Sequence, residues 1–223
     1  MKFKGIIFDL DGTLVNSLED IADSMNKVLE RYSFPAHKLQ AYKHFVGNGI
    51  KNLVREALPE SSKEEIFVLK CYGLMMEEYR NNCLNKTRPY DGIVELLNSL
   101  TTFKMKLAVL SNKDHELAKI VVTSLLPNCN FEEVIGVSAE TPRKPNPLGA
   151  LLISQQLGIA PECLIYVGDS DVDMQTANSA GMYAVGALWG FRTQEELMAS
   201  GAKYLIKHPL ELNQLLREDI AMY

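Results

Sequence analysis

No apolar run in this chain approaches the roughly 20 residues that a membrane-crossing helix needs, so no transmembrane segment is expected. The first residues lack the apolar stretch and small-residue cleavage site of a secretory signal, and export is not expected either. Positive charge is not in excess. With 23 Lys and Arg against 28 Asp and Glu the formal net charge is −5, which argues against a basic face for a nucleic-acid backbone. Four histidines are scattered without metal-ligand spacing, and His115, just after Asp114, reads as a surface helix residue. The four cysteines (Cys71, Cys83, Cys129, Cys163) contain no Cys-x-x-Cys pair, so they are expected to be reduced, mostly packed thiols of a cytoplasmic protein. Internal repeats, low-complexity tracts and long charge runs are missing too, which leaves an ordinary folded chain. What is present fits that: 47% hydrophobic and 23% charged residues over 223 positions, enough for one large domain or a core with a smaller companion.

The chain is organised around the stretch from Lys4 to Leu14. Ile6-Ile7-Phe8 is a short apolar run of the kind that forms a buried strand. It leads straight into Asp9, and a second carboxylate follows at Asp11. Gly12 then permits a sharp turn with the backbone close to a ligand, and Thr13 comes next. Ligands of open α/β sheets bind beyond the carboxyl ends of strands, so two acids here stand where chemistry is expected. Taken alone, Asp-x-Asp-Gly also suits a solvated turn.

Leu18, Ile21, Ala22, Met25, Val28, Leu29 and Tyr32 recur at steps of three and four, one apolar stripe of a helix. Ser17 is its expected cap, with Asp20 completing an imperfect capping box. Ile50, Leu53, Val54, Ala57 and Leu58 form a second stripe, and Ile66, Leu69, Tyr72, Met76 and Tyr79 a third. No strand pattern interrupts 17 to about 84, which reads as a helical insertion. Beyond it strands are expected at 106–110, 134–137, 164–167, 183–185 and 203–206, alternating with helices at 93–100, 117–126, 148–157, 174–180 and 210–216. Such alternation predicts an α/β fold with a parallel sheet covered on both faces by helices.

Three of the later strand ends carry polar residues. Ser111-Asn112-Lys113 follows the strand at 106–110, where a hydroxyl and backbone N–H groups can hold a phosphate oxygen, or where Ser simply caps a helix. Arg143-Lys144-Pro145 lies in a loop after the next strand. Its lysine offers a compact charge with three donors, or the loop is merely basic and solvated. Asp169, Asp171 and Asp173 crowd the end of the strand at 164–167. Together with Asp9 and Asp11 they repel unless some face water or a cation binds them, and carboxylates with water are magnesium ligands. Acids also suit a helix start.

Phe8-Asp9-Leu10-Asp11-Gly12-Thr13-Leu14 resembles the first motif of the haloacid dehalogenase superfamily of phosphatases, and the three later segments match the family's remaining motifs in order. The resemblance implies a Rossmann-like parallel-sheet core, 1–16 and 86–223, with a small all-helical cap domain, 17–85, inserted after the first strand. It implies Asp9 as the nucleophile and Asp11 as the general acid/base. Ser111 and Lys144 would hold phosphoryl oxygens, with Arg143 the fallback for Lys144. Mg2+ would be held by Asp9, Asp169 and the backbone carbonyl of Asp11. Asp173 is expected in the metal site, ligating the ion or orienting Lys144 or a metal-bound water, and Asp171 on the helix surface outside the motif. Gly12, Thr13 and Asn112 are the expected substrate contacts of the core. The implied reaction is attack of Asp9 on phosphorus to give an aspartyl phosphate, with Asp11 protonating the leaving alkoxide and then deprotonating water. A free Asp titrates at about 3.9, so that role requires a raised value at Asp11, for which the adjacent phosphate dianion is the expected cause. An Asp at position 11 also argues against the family's dehalogenases and phosphonate hydrolases.

Phe45-Val46-Gly47-Asn48-Gly49-Ile50 resembles a stretch of the family's phosphoglycolate phosphatases. A Gly-flanked helix start suits an anion such as a substrate carboxylate, so Asn48, Gly49 and Lys51 are expected substrate contacts, with Arg55 one turn on. A glycine turn with solvated basic residues reads the same. Trp189-Gly190-Phe191-Arg192 through Leu197 is similar to that subgroup as well, whereas Asn16 departs from the acid frequent in it. The resemblance thus implies a magnesium-dependent, cytoplasmic phosphatase whose partner is a small phosphorylated metabolite, 2-phosphoglycolate first, with neither nucleic acid nor membrane. The rivals on this scaffold are a phosphosugar mutase of the β-phosphoglucomutase kind, a pyrophosphatase, and a non-catalytic binding module. Oligomeric state has no signature in the sequence.

Overall fold

The computed structural model describes residues 2–222, with side chains to Asp219; positions 1 and 223, the outer limits of the expected core, lie outside the described residues. The strands are β1 (Gly5–Phe8), β2 (Val15–Asn16), β3 (Arg88–Pro89), β4 (Lys106–Asp114), β5 (Glu133–Val137), β6 (Leu164–Gly168), β7 (Tyr183–Ala187) and β8 (Tyr204–Ile206). The helices are α1 (Leu18–Arg31), α2 (Leu39–Phe45), α3 (Ile50–Ala57), α4 (Glu65–Asn82), α5 (Ile93–Thr102), α6 (His115–Leu125), α7 (Leu148–Leu157), α8 (Asp171–Ser179), α9 (Gln194–Ala199) and α10 (Leu212–Met222). The chain divides into two compact units, one of residues 1–15 and 89–223 and the other of 16–88.

In the first unit six strands form one sheet in the order β5-β4-β1-β6-β7-β8, and every pairing is parallel. Parallel strands are covered on both faces and therefore read as continuous apolar runs. On one face Ile7, Leu110, Tyr166 and Ala184 share a buried cluster with Ile153 of α7 and Met174 of α8. Their neighbours pointing the other way, Ile6, Val109 and Ile165, are equally buried. The chain leaves β1 toward β4 on one side and returns to β6 on the other. The resulting switch point, at the carboxyl ends of β1 and β6, is where an α/β sheet opens a crevice.

The second unit contains α1–α4. Leu18, Ile21, Ala22, Met25, Val28 and Leu29 are buried on α1, and Leu53, Val54 and Ala57 on α3, as their spacing predicts. The stripe expected on α4 holds at Tyr79, which is buried, but fails at Ile66 and Leu69. Val68, Cys71, Met75 and Tyr79 are buried, while Ile66 is 85% and Leu69 47% exposed. This helix carries apolar residues almost all round, so periodicity alone did not select the face that packs on α1 and α3. Ser17 stands at the N-cap of α1 as expected, but its side chain makes no cap bond, so the expected capping box is corrected. Asp20 has another use. Buried at 2% exposure, it accepts hydrogen bonds from the backbone N–H of Lys86 (3.0 Å) and of Thr87 (2.8 Å) and from the Thr87 hydroxyl (2.7 Å). The carboxylate thereby ties the first helix to the segment in which the unit ends. The two crossings between units run through β2 and β3, which pair as a two-stranded ribbon and were too short to leave a pattern in the sequence.

None of the four cysteines forms a disulfide. No helix among the described residues is long and apolar enough to cross a membrane.

Candidate active site

The parallel register sets Phe8 of β1 beside Val167 of β6, and the Asp9 N–H donates to the Val167 carbonyl at 2.9 Å. Each strand then delivers an acid at its end: Asp9 after β1, and Asp169 just past β6. Asp173 joins them from the first turn of α8. These three carboxylates are 7%, 1% and 0% exposed, and each places an oxygen within 4.8 Å of the others.

One buried cation stands among them. Lys144 is 5% exposed, and its Nζ lies 2.7 Å from Asp9 Oδ1, 2.7 Å from Asp173 Oδ1 and 3.2 Å from the Leu110 carbonyl. Its three donors are therefore all used, two on carboxylates. Asn112 fixes the backbone of the same residue, accepting from Lys144 N–H at 2.8 Å and donating to its carbonyl at 3.2 Å. Asn112, expected against substrate, thus holds the lysine's main chain with its amide. Arg143, the fallback, is exposed.

Asp173 has both oxygens occupied. Oδ1 faces Lys144 and the Tyr166 hydroxyl (3.3 Å), and Oδ2 accepts from the N–H and the hydroxyl of Ser170 in a capping box that starts α8. Asp169 is held differently. Its Oδ1 accepts from the Thr13 hydroxyl at 3.0 Å and its Oδ2 from the Phe191 N–H at 2.8 Å. Thr13, also expected against substrate, is fully buried with its hydroxyl on this carboxylate. Room for Asp169 comes from two glycines. A Cβ on Gly12 would lie 2.3 Å from Oδ2, and one on Gly190 2.3 Å from the Asp169 Cβ. Gly12 also has φ +92°, a backbone conformation that side-chain-bearing residues rarely adopt.

Asp11 sits in the tight turn after β1, where the Gly12 N–H donates to Val15 O and the Leu14 N–H to Leu10 O, both at 2.9 Å. Both of its carboxylate oxygens are 2.7 Å from Lys113 Nζ. Lys113 belongs to β4, which runs on to Asp114 instead of ending at Leu110. Ser111, 3% exposed, is part of the same extension, and its Oγ accepts from the Lys113 N–H at 3.2 Å.

Crowding of acids in a dry place changes their proton affinity. Burial, then the charge of Asp173, raises the Asp9 pKa well above the usual carboxylate range, against the pull of Lys144. Burial and Asp173 likewise push Asp169 up to about 7, although the Phe191 N–H, Thr13 and Lys144 draw it down. Burial opposes the charge on Lys144, but Asp173 and Asp9 outweigh it and its pKa is raised. Tyr166 is raised by burial, and Tyr90 by burial and by the nearby Asp169 and Asp11. Buried carboxylates with a single shared lysine are short of positive charge. An all-oxygen donor set of this kind fits a hard divalent cation such as Mg2+.

Asp171 and the residues expected in the helical unit complete the set. Asp171 is half-exposed on α8, its Oδ1 4.0 Å from Arg192 Nε. In the helical unit Gly49 precedes α3 with φ +79°, Lys51 Nζ is 2.6 Å from Glu65 Oε1, and Arg55 pairs with the same glutamate. Sequence reasoning missed Lys113, Tyr166 and the function of the Gly190-Phe191 turn at Asp169. Lys113 follows two residues that were singled out, but a polar tripeptide at a strand end reads as a turn. Tyr166 stands inside an apolar strand with nothing to distinguish its hydroxyl.

Comparison with known proteins extends the pattern to the whole chain. The family model described as haloacid dehalogenase-like hydrolase matches residues 6–187. A phosphoglycolate phosphatase of Aquifex aeolicus is 30% identical over 218 residues, covering 98% of this chain and 99% of that one. One of Chromobacterium violaceum is 30% identical over 217 residues, 96% of each. A crystal structure of a predicted phosphoglycolate phosphatase from Haemophilus somnus superposes with a TM-score of 0.89 at 28% identity, over 97% of this chain and 99% of that one. With the family model spanning most of the chain and a relative 30% identical from end to end, the chain belongs to the haloacid dehalogenase-like hydrolases.

Proposed function

We propose that this protein is a magnesium-dependent phosphatase of small phosphate monoesters that works through an aspartyl phosphate, with 2-phosphoglycolate as its first substrate. The observation that carries the reading is the meeting of buried Asp9, Asp169 and Asp173 within 4.8 Å around Lys144, with Asp11 two residues from Asp9. The substrate assignment is supported by the relatives that bear the name phosphoglycolate phosphatase over nearly their whole length.

In this reading a carboxylate oxygen of Asp9 attacks phosphorus and the bond to the ester oxygen breaks. Asp11 gives that oxygen its proton. Asp11 then takes a proton from water, the water oxygen attacks phosphorus, and the bond to Asp9 breaks to release phosphate. Lys144 neutralises the phosphoryl oxygens, while Asp173 and Asn112 keep the lysine in place. The Ser111 hydroxyl, accepting from the Lys113 N–H, has its own hydrogen to donate to a phosphoryl oxygen. Asp9, Asp169 and the carbonyl of Asp11 would hold Mg2+, which when bound supplies the charge neutralisation that lets a carboxylate meet a phosphate dianion. Asp173 anchors Lys144 through Oδ1 and stands with Asp9 and Asp169 in the carboxylate group of the metal site. Asn48, Gly49 and Lys51 are assigned to the substrate's carboxylate, and unbridged cysteines suit the cytoplasm.

The test is a panel of phosphate esters, with pyrophosphate and sugar phosphates, run with and without Mg2+ and with an Asp9→Asn control. Magnesium-dependent phosphate release, fastest on 2-phosphoglycolate and absent in the control, is expected. Isomerised sugar phosphate without free phosphate would make the protein a mutase. No turnover of any member would overturn the enzymatic reading.

A further inference from the structure

We propose that Lys113 is the positioning residue of Asp11, setting the orientation from which the acid/base delivers and receives its proton. The inference rests on the phosphatase reading and deepens it. Lys113 Nζ stands 2.7 Å from Oδ1 and 2.7 Å from Oδ2, astride the carboxylate. A cation placed symmetrically between two oxygens opposes rotation of the side chain about either of its torsions, because any rotation lengthens one contact. The lysine side chain is 2% exposed and the aspartate 14%, so water competes poorly for the pair. The partner that could wander, a long lysine, is the one packed in place.

The backbone is arranged to put it there. β4 continues to Asp114, and its pairing with β5 shifts register between Leu110 and Asp114. That irregularity re-aims the end of the strand, as bulged strands do beside active sites. The Lys113 N–H donates to Ser111 Oγ, so one short segment orients both the phosphate-facing hydroxyl and the cation on Asp11. The other two strand-end acids are held by groups of their own: Asp9 by Lys144, and Asp169 by Thr13 and the Phe191 N–H. In this scheme Lys113 does for the proton donor what Lys144 does for the nucleophile.

Leaving-group chemistry tests the proposal. An alkyl phosphate such as 2-phosphoglycolate needs a proton at its departing oxygen, whereas the nitrophenolate of p-nitrophenyl phosphate leaves without one. kcat/KM with Mg2+ reports the first step for each ester. Lys113→Met is expected to lose on the order of 100-fold on the alkyl ester, the scale of general acid catalysis, and no more than about fivefold on the aryl ester. Asp11→Asn should share this selectivity, and Lys113→Arg should fall between Lys113→Met and wild type on the alkyl ester. Equal losses on both esters, or none, would overturn the proposal. Should Lys113→Met fail to fold, judged by its melting transition, Lys113→Arg and Lys113→Gln carry the same comparison. A wild-type protein that hydrolyses neither ester would defeat the underlying phosphatase reading, a separate result.

Discussion

The two units of this chain treat charge in opposite ways. In the α/β unit Lys144 and Lys113 are almost wholly buried and face Asp9, Asp173 and Asp11 at 2.7 Å. In the helical unit Lys51 and Arg55 meet Glu65 where the side chains are between 35% and 53% exposed, and Lys86 meets Asp23 with both half in water. Exposed pairs contribute little and weaken with salt. Buried pairs keep their geometry without solvent to rearrange, which is what a reacting centre needs. The charged pairs of the two units thus differ in kind, and burial separates those held in one geometry from those that solvent can rearrange.

Substitutions on either side of this contrast differ in the size of effect expected. The largest effect is expected from Asp9→Asn, which removes the nucleophile and should lower phosphate release by about 10⁴-fold or more. Asp169→Asn comes next, weakening magnesium binding by more than about 100-fold in a titration followed by activity or calorimetry. The same variant tests the cost of burying acids. In the metal-free protein Asp169 keeps its proton up to about pH 7, against an ordinary value of 3.8 in the unfolded chain. Between those values the folded state binds more protons than the unfolded state, so this group's contribution to stability is lost as pH rises from about 4 to about 7. Metal-free wild type should therefore melt lower at pH 7 than at pH 5, and Asp169→Asn should flatten that slope. A steeper slope in the variant would contradict the assignment.

In the helical unit Asp20→Ala should destabilise by about 2–3 kcal/mol in denaturant unfolding, since it strands two backbone N–H groups and a hydroxyl. Asp20 is the exception in that unit, a charge that is buried and hydrogen-bonded through both oxygens. The smallest effect is expected from Lys51→Ala. It should raise KM for 2-phosphoglycolate by a few-fold, more at low salt, and leave kcat and the melting temperature where they are.

Much of the α/β unit was legible because its physics writes directly into sequence. Parallel strands must be apolar on both sides, and an acid that ends such a run, as Asp9 and Asp169 do, stands out. What escaped was polar structure with no period. β4 was expected to stop at Leu110 because Ser111-Asn112-Lys113 breaks the apolar run, and with the strand end went the partner of Asp11. The burial face of α4 escaped because Ile66 and Leu69 are as apolar as Val68 and Cys71. Only the neighbours α1 and α3 decide between them. Ser17 looked like a cap by type, but Asp20, the other half of the expected box, is drawn to Lys86 and Thr87, far along the chain. Tyr166 and Thr13 show the converse: residues that looked like filling or like substrate contacts are braces for the acids.

Asp20 spans 66 positions of sequence to reach Lys86, so the helical segment starts and finishes at a single knot. To the sheet such a segment is a graft on one stem. A change in the length of one of its helices would leave the order and register of the six strands untouched, because the segment enters and leaves the sheet's chain at one place.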